Sequence, residues 1–422
     1  MALGGRPAWL AAGLEHLWLP YTQMKTAPAP LPVARTEGCR IILDDGRVLI
    51  DGIASWWTAC HGYNHPHIRA ALARQLEAMP HVMFAGLAHE PAARLATRLA
   101  ALLPGDLDRV FFSDSGSVAV EIALKMAMQY WRNRGERREG FLAFRNGYHG
   151  DTAGAMAVSD PGTGMHGSAS AFLPRQALAE LPRDAASAAR LDTLLEREAS
   201  SIAAIIVEPL VQGAGGMMFH DPATLRRVRE AAHRHRLLLI ADEIFTGFGR
   251  TGTMFACDAA EVVPDIVTLS KALTGGALPL AATIARRHVF DAFLSDDAAA
   301  ALMHGPTFMA NALACAAANA SLDLFAREDR LGQVAAIEAA LARDLVPCRE
   351  LRGVRAVRVK GAIGVVELER TPDLDALRRR FVAEGVWIRP FGNIVYLTPP
   401  FTISAPELAM LTGAIRRVLG DF

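Results

Sequence analysis

Asp242 and Lys271 are the residues whose types and spacing speak first of chemistry. Asp242, followed by Glu243, closes the apolar run Leu237-Leu238-Leu239-Ile240-Ala241. Lys271 comes just after the run Ile266-Val267-Thr268-Leu269 and just before Gly275-Gly276. Both runs have the length of buried parallel strands, and open α/β sheets take their ligands at the carboxyl ends of such strands. An acid at one strand end and an amine at the next suit a protonated heteroaromatic ring tethered as an imine. The amine forms the bond, and the acid holds the ring proton so that the ring can accept electrons. Pyridoxal 5'-phosphate is such a ring. Taken alone, a lysine at a strand end reads more simply as a solvated surface charge.

Other strand ends add to the pair. Ser115-Gly116-Ser117 lies between the short strand Val110-Phe111-Phe112 and a helix. Free N–H groups and the helix dipole make that position a phosphate cradle, although plain serine N-capping explains it equally well. Asn146-Gly147-Tyr148-His149-Gly150-Asp151 follows another strand, and Tyr148 there could stack on a flat ring, with an ordinary turn as the alternative. Glu208-Pro209 brings a second carboxylate to the same edge, to order Asp242 or the ring's hydroxyl side, or merely to cap or be solvated. Arg389-Pro390-Phe391-Gly392-Asn393 offers a guanidinium for a substrate carboxylate, or a surface turn.

Two patterns mislead. Gly247-Phe248-Gly249-Arg250-Thr251-Gly252 fits a dinucleotide fingerprint, but no helical pattern opens behind it and Pro264 soon follows. His61, His65 and His67 cluster without a further ligand set of recognisable spacing, so loop packing is the better account and no metal is expected.

The elements that must position these residues alternate. Strand-like runs at Phe141–Phe144, Ala203–Val207, Leu237–Ala241, Ile266–Leu269 and Ala281–Ile284 have helical stretches between several of them, which predicts an α/β fold with a mainly parallel sheet covered by helices. Ala119, Ile122, Ala123, Met126, Ala127 and Tyr130 mark one apolar helix face. Asp44-Asp45-Gly46 signals a hairpin. Past a long alanine-rich helix from Ala310, strands (Gly364–Leu368, Ile394–Leu397) and helices (Asp373–Glu384, Pro406–Val418) read as a smaller α+β domain.

The 422 residues can bury a large core in two subdomains. Lys+Arg and Asp+Glu number 44 each, so no global field invites nucleic acid. No apolar run of about 18 residues predicts a membrane span, and no secretory leader is expected. Five scattered cysteines suit reduced thiols in a cytoplasmic protein.

Assembled, these residues resemble the class III (ω-type) aminotransferases of fold-type I, from Trp18 to the last helix. The resemblance is carried by His16-Leu17-Trp18-Leu19-Pro20-Tyr21, Ser55-Trp56-Trp57, Ser113 to Glu121, His304-Gly305-Pro306-Thr307-Phe308-Met309 and Arg389-Pro390-Phe391-Gly392. It implies a large pyridoxal-phosphate-binding domain over 56–324, with 1–55 and 325–422 forming the small domain. Lys271 would be the imine-forming lysine and Asp242 the partner of the pyridine nitrogen, with Glu208 beside them. Ser115, Gly116 and Ser117 would bind the phosphate, and Tyr148 would pack on the ring. Pro306 and Thr307 would reach the phosphate of a neighbouring subunit, which makes a homodimer. Tyr21, Trp56, Trp57, Gly305 and Arg389 would line the substrate pocket. The double tryptophan and the His304–Met309 string mark the branch that takes S-adenosylmethionine as amino donor and 8-amino-7-oxononanoate as acceptor. Lysine or an ω-amino acid is the alternative donor. Ala310-Asn311-Ala312 departs from the family pattern, where a glycine and a proline flank the asparagine.

Overall fold

The computed structural model describes residues 7–163 and 167–421. Two compact units are present: Pro66–Val334 forms one, and the described residues up to His65 together with those from Ala335 onward form the other.

The Pro66–Val334 unit is built on a sheet of seven strands among the described residues. Their order is Leu107–Ser113, Ala281–Arg286, Ile266–Leu269, Leu238–Asp242, Ile202–Val207, Gly140–Phe144 and Ala177–Ala179. The central strands Ile202–Val207, Leu238–Asp242 and Ile266–Leu269 are buried at every position, as sheets covered on both faces require. Pairing among the five strands from Ile266–Leu269 onward is parallel. Ala281–Arg286 runs antiparallel to both of its neighbours, so the mainly parallel expectation holds with one reversed strand. Ala177–Ala179 is too short and too alanine-rich to announce itself in the sequence.

The helix Gly116–Asn133 buries the expected apolar face and also Val120, Leu124 and Trp131. Its Trp131 Nε1 donates to the Ala203 carbonyl of a central strand at 2.8 Å, and a buried indole needs such a partner. The helix Ala312–Arg327 packs on Pro66–Ala78 and Glu90–Leu102. Its alanines (Ala314, Ala317, Ala318, Ala320) are buried, which lets the neighbouring backbones approach. Ala310, where the family pattern has a glycine, sits at φ +53°. The next residue, Asn311, caps the helix by accepting from Ala314 N at 3.0 Å. His89 Nε2 donates to the Ala310 carbonyl at 2.9 Å and holds that bend.

In the other unit the predicted hairpin forms: Arg40–Leu43 pairs antiparallel with Val48–Asp51, and Gly46 takes φ +83° at its tip. Val33–Glu37 extends this sheet on one side and Val386–Trp387 on the other. A second sheet joins Val354–Lys360, Ile363–Leu368 and Ile394–Leu397. The helices Leu374–Ala383 and Ala405–Gly420 follow the expected spans, the latter opened by a Ser404–Glu407 capping box. Val354–Lys360 is mostly half-buried, with arginines between its valines, and this hid it from a search for apolar runs.

Candidate active site

The residues singled out in Pro66–Val334 converge because the strands ending in Ser113, Phe144, Val207, Asp242 and Leu269 run the same way. Asp242 is 4% exposed. Its Oδ2 accepts from His149 Nδ1 at 2.7 Å. Its Oδ1 accepts from Ile244 N at 3.1 Å and Thr268 Oγ1 at 3.2 Å. His149 is itself buried, with its backbone N–H on Ser159 Oγ at 2.9 Å. Burial alone would drive the imidazole's pKa down. The hydrogen bond to Asp242 and the charges of Asp242 and Glu208 prevail, and it ends raised.

Lys271 stands three positions beyond Thr268, which is in register with Asp242. Its backbone takes φ +36°, a conformation that L-residues adopt at a cost. The segment is closed locally by Ser270 Oγ donating to the Leu280 carbonyl at 2.9 Å. Desolvation lowers the Lys271 pKa, against the opposing charges of Asp242, Glu208 and Asp151. An amine whose pKa is lowered by burial is suited to nucleophilic and proton-transfer work.

Glu208 is neither solvated nor hydrogen-bonded to Asp242. Its carboxylate accepts from Tyr148 N and Gly213 N, each at 3.0 Å, and so fixes two loops. Burial, eased by the charge of His149 and aggravated by that of Asp242, pushes it up to about 7. Tyr148 OH donates to Asp151 Oδ1 at 2.8 Å, and Asp151 N donates to Ser117 Oγ at 3.1 Å. Thus the Tyr148 loop is tied to the first turn of Gly116–Asn133. Ser115 caps that helix, accepting from Val118 N at 3.4 Å. A Cβ on Gly116 would lie 3.0 Å from Ile244, and one on Gly150 (φ +127°) 2.2 Å from Ser117 Oγ. Gly305, Pro306 and Thr307 lie in a largely exposed loop, with the Phe308 ring tilted against that of His81 at 4.7 Å.

The other unit gathers the aromatic residues. The Arg389 guanidinium lies 4.7 Å over the Trp56 ring, and Tyr21 meets Trp56 edge-on at 6.1 Å. Trp57 packs on Tyr396 at 6.0 Å. Burial lowers the Arg389 pKa, and the like charge of Arg378 lowers it further. Such a site invites an anion. Ala54, Ser55, Trp56 and Trp57 all take positive φ, at about 1–2 kcal/mol per residue for L-residues.

Two partners escaped the sequence reading. His149 sits beside the singled-out Tyr148, yet nothing local ties it to an aspartate 93 positions on. Tyr396 lies inside a recognised strand, where its hydroxyl gives no signal. The glycine string after Asp242 is loop. The acid behind it, Glu243, is spent on Ala256 N at 3.0 Å, Cys257 N at 2.8 Å and Thr246 Oγ1 at 2.6 Å. His67 pairs with Asp323 at 2.9 Å.

Residues 21–419 match the family model described as aminotransferase class-III, and the chain belongs to that family. It is 48% identical over 420 residues, 97% of this chain and 96% of the relative, to the adenosylmethionine-8-amino-7-oxononanoate aminotransferase of Mycobacterium leprae. The crystal structure of the enzyme of the same name from Methanocaldococcus jannaschii superposes with TM-score 0.93 at 32% identity, covering 98% of each chain. An amine transaminase from an uncultivated Pseudomonas species, solved in its PLP-bound form, gives TM-score 0.89 at 35% identity over 96% of this chain and 98% of that one. The fold is that of the fold-type I class III transaminases.

Proposed function

We propose that this chain is a pyridoxal 5'-phosphate-dependent aminotransferase of biotin biosynthesis. It moves an amino group from S-adenosylmethionine to 8-amino-7-oxononanoate and yields 7,8-diaminononanoate. The observation that carries the reading is Lys271, its amine depressed by burial, beside an Asp242 carboxylate held by His149. The residues present fit the cofactor. An amine whose pKa burial lowers suits imine formation, and a carboxylate that accepts three hydrogen bonds and keeps a lone pair on Oδ2 for a fourth suits a pyridinium. A helix N-terminus whose first residue is Gly116, where a Cβ would press on Ile244 at 3.0 Å, suits a phosphate.

When bound, the cofactor supplies an electron sink for the bond cleaved at the substrate carbon. Lys271 Nζ would hold the cofactor and would take up the proton that leaves the donor's Cα. Asp242 keeps the ring nitrogen protonated, and His149 keeps Asp242 oriented. Ser115, Gly116 and Ser117 receive the phosphate, and Tyr148 covers the ring face. Arg389 takes the acceptor's carboxylate, while Tyr21, Trp56 and Trp57 form walls broad enough for both a cationic nucleoside and a C9 acid.

The active form is a homodimer in which Gly305, Pro306 and Thr307 serve the partner's site. Exposed Met303 (80%) and Phe308 (56%) in that loop support this. A cytoplasmic location agrees with five buried, unbridged cysteines. Among the described residues no helix is long and apolar enough to cross a membrane. The test is the first half-reaction, followed by visible absorbance with S-adenosylmethionine, lysine or an ω-amino acid as donor. Conversion with S-adenosylmethionine at low concentration, lost in Lys271→Ala, is the expected result. Conversion with lysine alone overturns the donor assignment and leaves the rest.

A further inference from the structure

We propose that Asp51 is a positioning residue for the substrate walls, its carboxylate holding the left-handed turn that presents Trp56 and Trp57. The proposal rests on the reading that Trp56 lines the substrate pocket.

The backbone of Ala54, Ser55, Trp56 and Trp57 has φ of +46°, +46°, +56° and +72°. None of these is a glycine, and successive left-handed L-residues persist only where the surroundings impose them. The turn is closed by Trp57 N on the Ile53 carbonyl at 2.8 Å and Thr58 N on the Ala54 carbonyl at 2.9 Å. What imposes it is Asp51, fully buried at the end of the strand Val48–Asp51. Its Oδ1 accepts from Ile53 N at 2.8 Å and its Oδ2 from Ser55 N at 3.0 Å, one amide before the left-handed run and one within it. Tyr63 OH donates to Oδ2 at 2.5 Å, and Ser55 Oγ donates in turn to the Tyr63 oxygen at 2.5 Å. Tyr63 is itself fixed by its backbone N–H on the Gly38 carbonyl at 2.7 Å. Gly52 completes the corner, since a Cβ there would lie 2.9 Å from Leu397.

A carboxylate can accept all three bonds at once; a carboxamide of the same shape has one oxygen and presents an N–H₂ where a donor already points. Asp51→Asn therefore frees the turn at nearly constant volume, and Tyr63→Phe removes one bond while leaving both backbone amides engaged.

The experiment combines hydrogen exchange and steady-state kinetics on the holoenzyme. In Asp51→Asn, the amides of residues 53–58 exchange at least about tenfold faster, and KM for the acceptor rises about tenfold or more because the walls are displaced. Meanwhile kcat changes by less than about threefold and the cofactor's visible absorbance is unaltered. Tyr63→Phe moves both readouts the same way by less, and serves alone if Asp51→Asn does not fold. Wild-type exchange over 53–58 in both variants overturns the proposal. So does faster exchange with unchanged KM while Trp56→Ala raises KM. If Trp56→Ala itself leaves KM unchanged, the reading of Trp56 as a substrate wall has failed, and the positioning role falls with it.

Discussion

His149 Nδ1 stands 2.7 Å from Asp242 Oδ2, both side chains almost wholly shielded from solvent. The contact joins the loop after one strand to the end of another. It gives the acid that would serve a ring nitrogen a buried imidazole as hydrogen-bond partner.

Replacing His149 by Gln should lower kcat by about 10–100-fold while the protein still binds cofactor, because Asp242 loses the donor that orients it. Titration of stability provides a second check. His149 has its folded pKa raised. The stability that the pair lends is therefore full below the ordinary histidine value of about 6.5 and is lost as pH rises through the raised one. The difference in Tm between wild type and His149→Gln should shrink on going from pH 6 to pH 9; a constant difference would remove the ionic account.

Glu208 titrates in the same sense. Its pKa is pushed from 4.5 to about 7, so the folded state binds the extra proton and stability falls as pH climbs through that interval. The loss can amount to about 3 kcal/mol. Glu208→Gln forfeits one acceptor for Tyr148 N or Gly213 N at every pH but escapes the titration. Thermal unfolding should show the variant well below wild type near pH 5 and closer to it, or above it, near pH 8.

Gly150→Ala combines a steric and a conformational fault. The new methyl would fall 2.2 Å from Ser117 Oγ, on a backbone at φ +127°. Unfolding should show a loss of about 2–4 kcal/mol. Since Ser117 is assigned to the phosphate, cofactor affinity should fall too, measurable by fluorescence on titrating the apoenzyme.

Arg389→Lys keeps the charge and loses the plane. The guanidinium 4.7 Å over Trp56 can stack and present two parallel donors, which an ammonium cannot. KM for the keto acid should rise about tenfold or more, with the S-adenosylmethionine half-reaction much less affected. Equal losses in both half-reactions would argue that Arg389 shapes the whole unit instead.

Much of this was legible in the chain. Apolar runs such as Ala203–Val207 and Leu238–Ala241 are strands because both faces are buried, and their ends deliver Glu208 and Asp242 as sequence alone suggests. The helix face of Ala119 to Tyr130 follows its period. What could not be read is whatever depends on distant partners. Glu208 looked like a cap or a companion of Asp242, and it is a clamp for the backbones of 148 and 213. His149 acquires its importance only when the sheet closes. The reversed direction of Ala281–Arg286 also escaped, because an apolar run does not state its polarity. The left-handed turn at Ala54–Trp57 breaks local preference, and the side chains of Asp51 and Tyr63 that bond to it lie outside it in the sequence.

The antiparallel strand next to the lysine strand has a kinetic meaning as well. A parallel neighbour needs a long crossover, whereas here the chain doubles straight back and Ser270 is hydrogen-bonded to Leu280 only ten residues later. Such near-neighbour closure forms early on the folding time scale, while pairings that span scores of residues arrive late. During refolding, the backbone bearing the Lys271 amine should therefore be set before Asp242 has met the His149 imidazole.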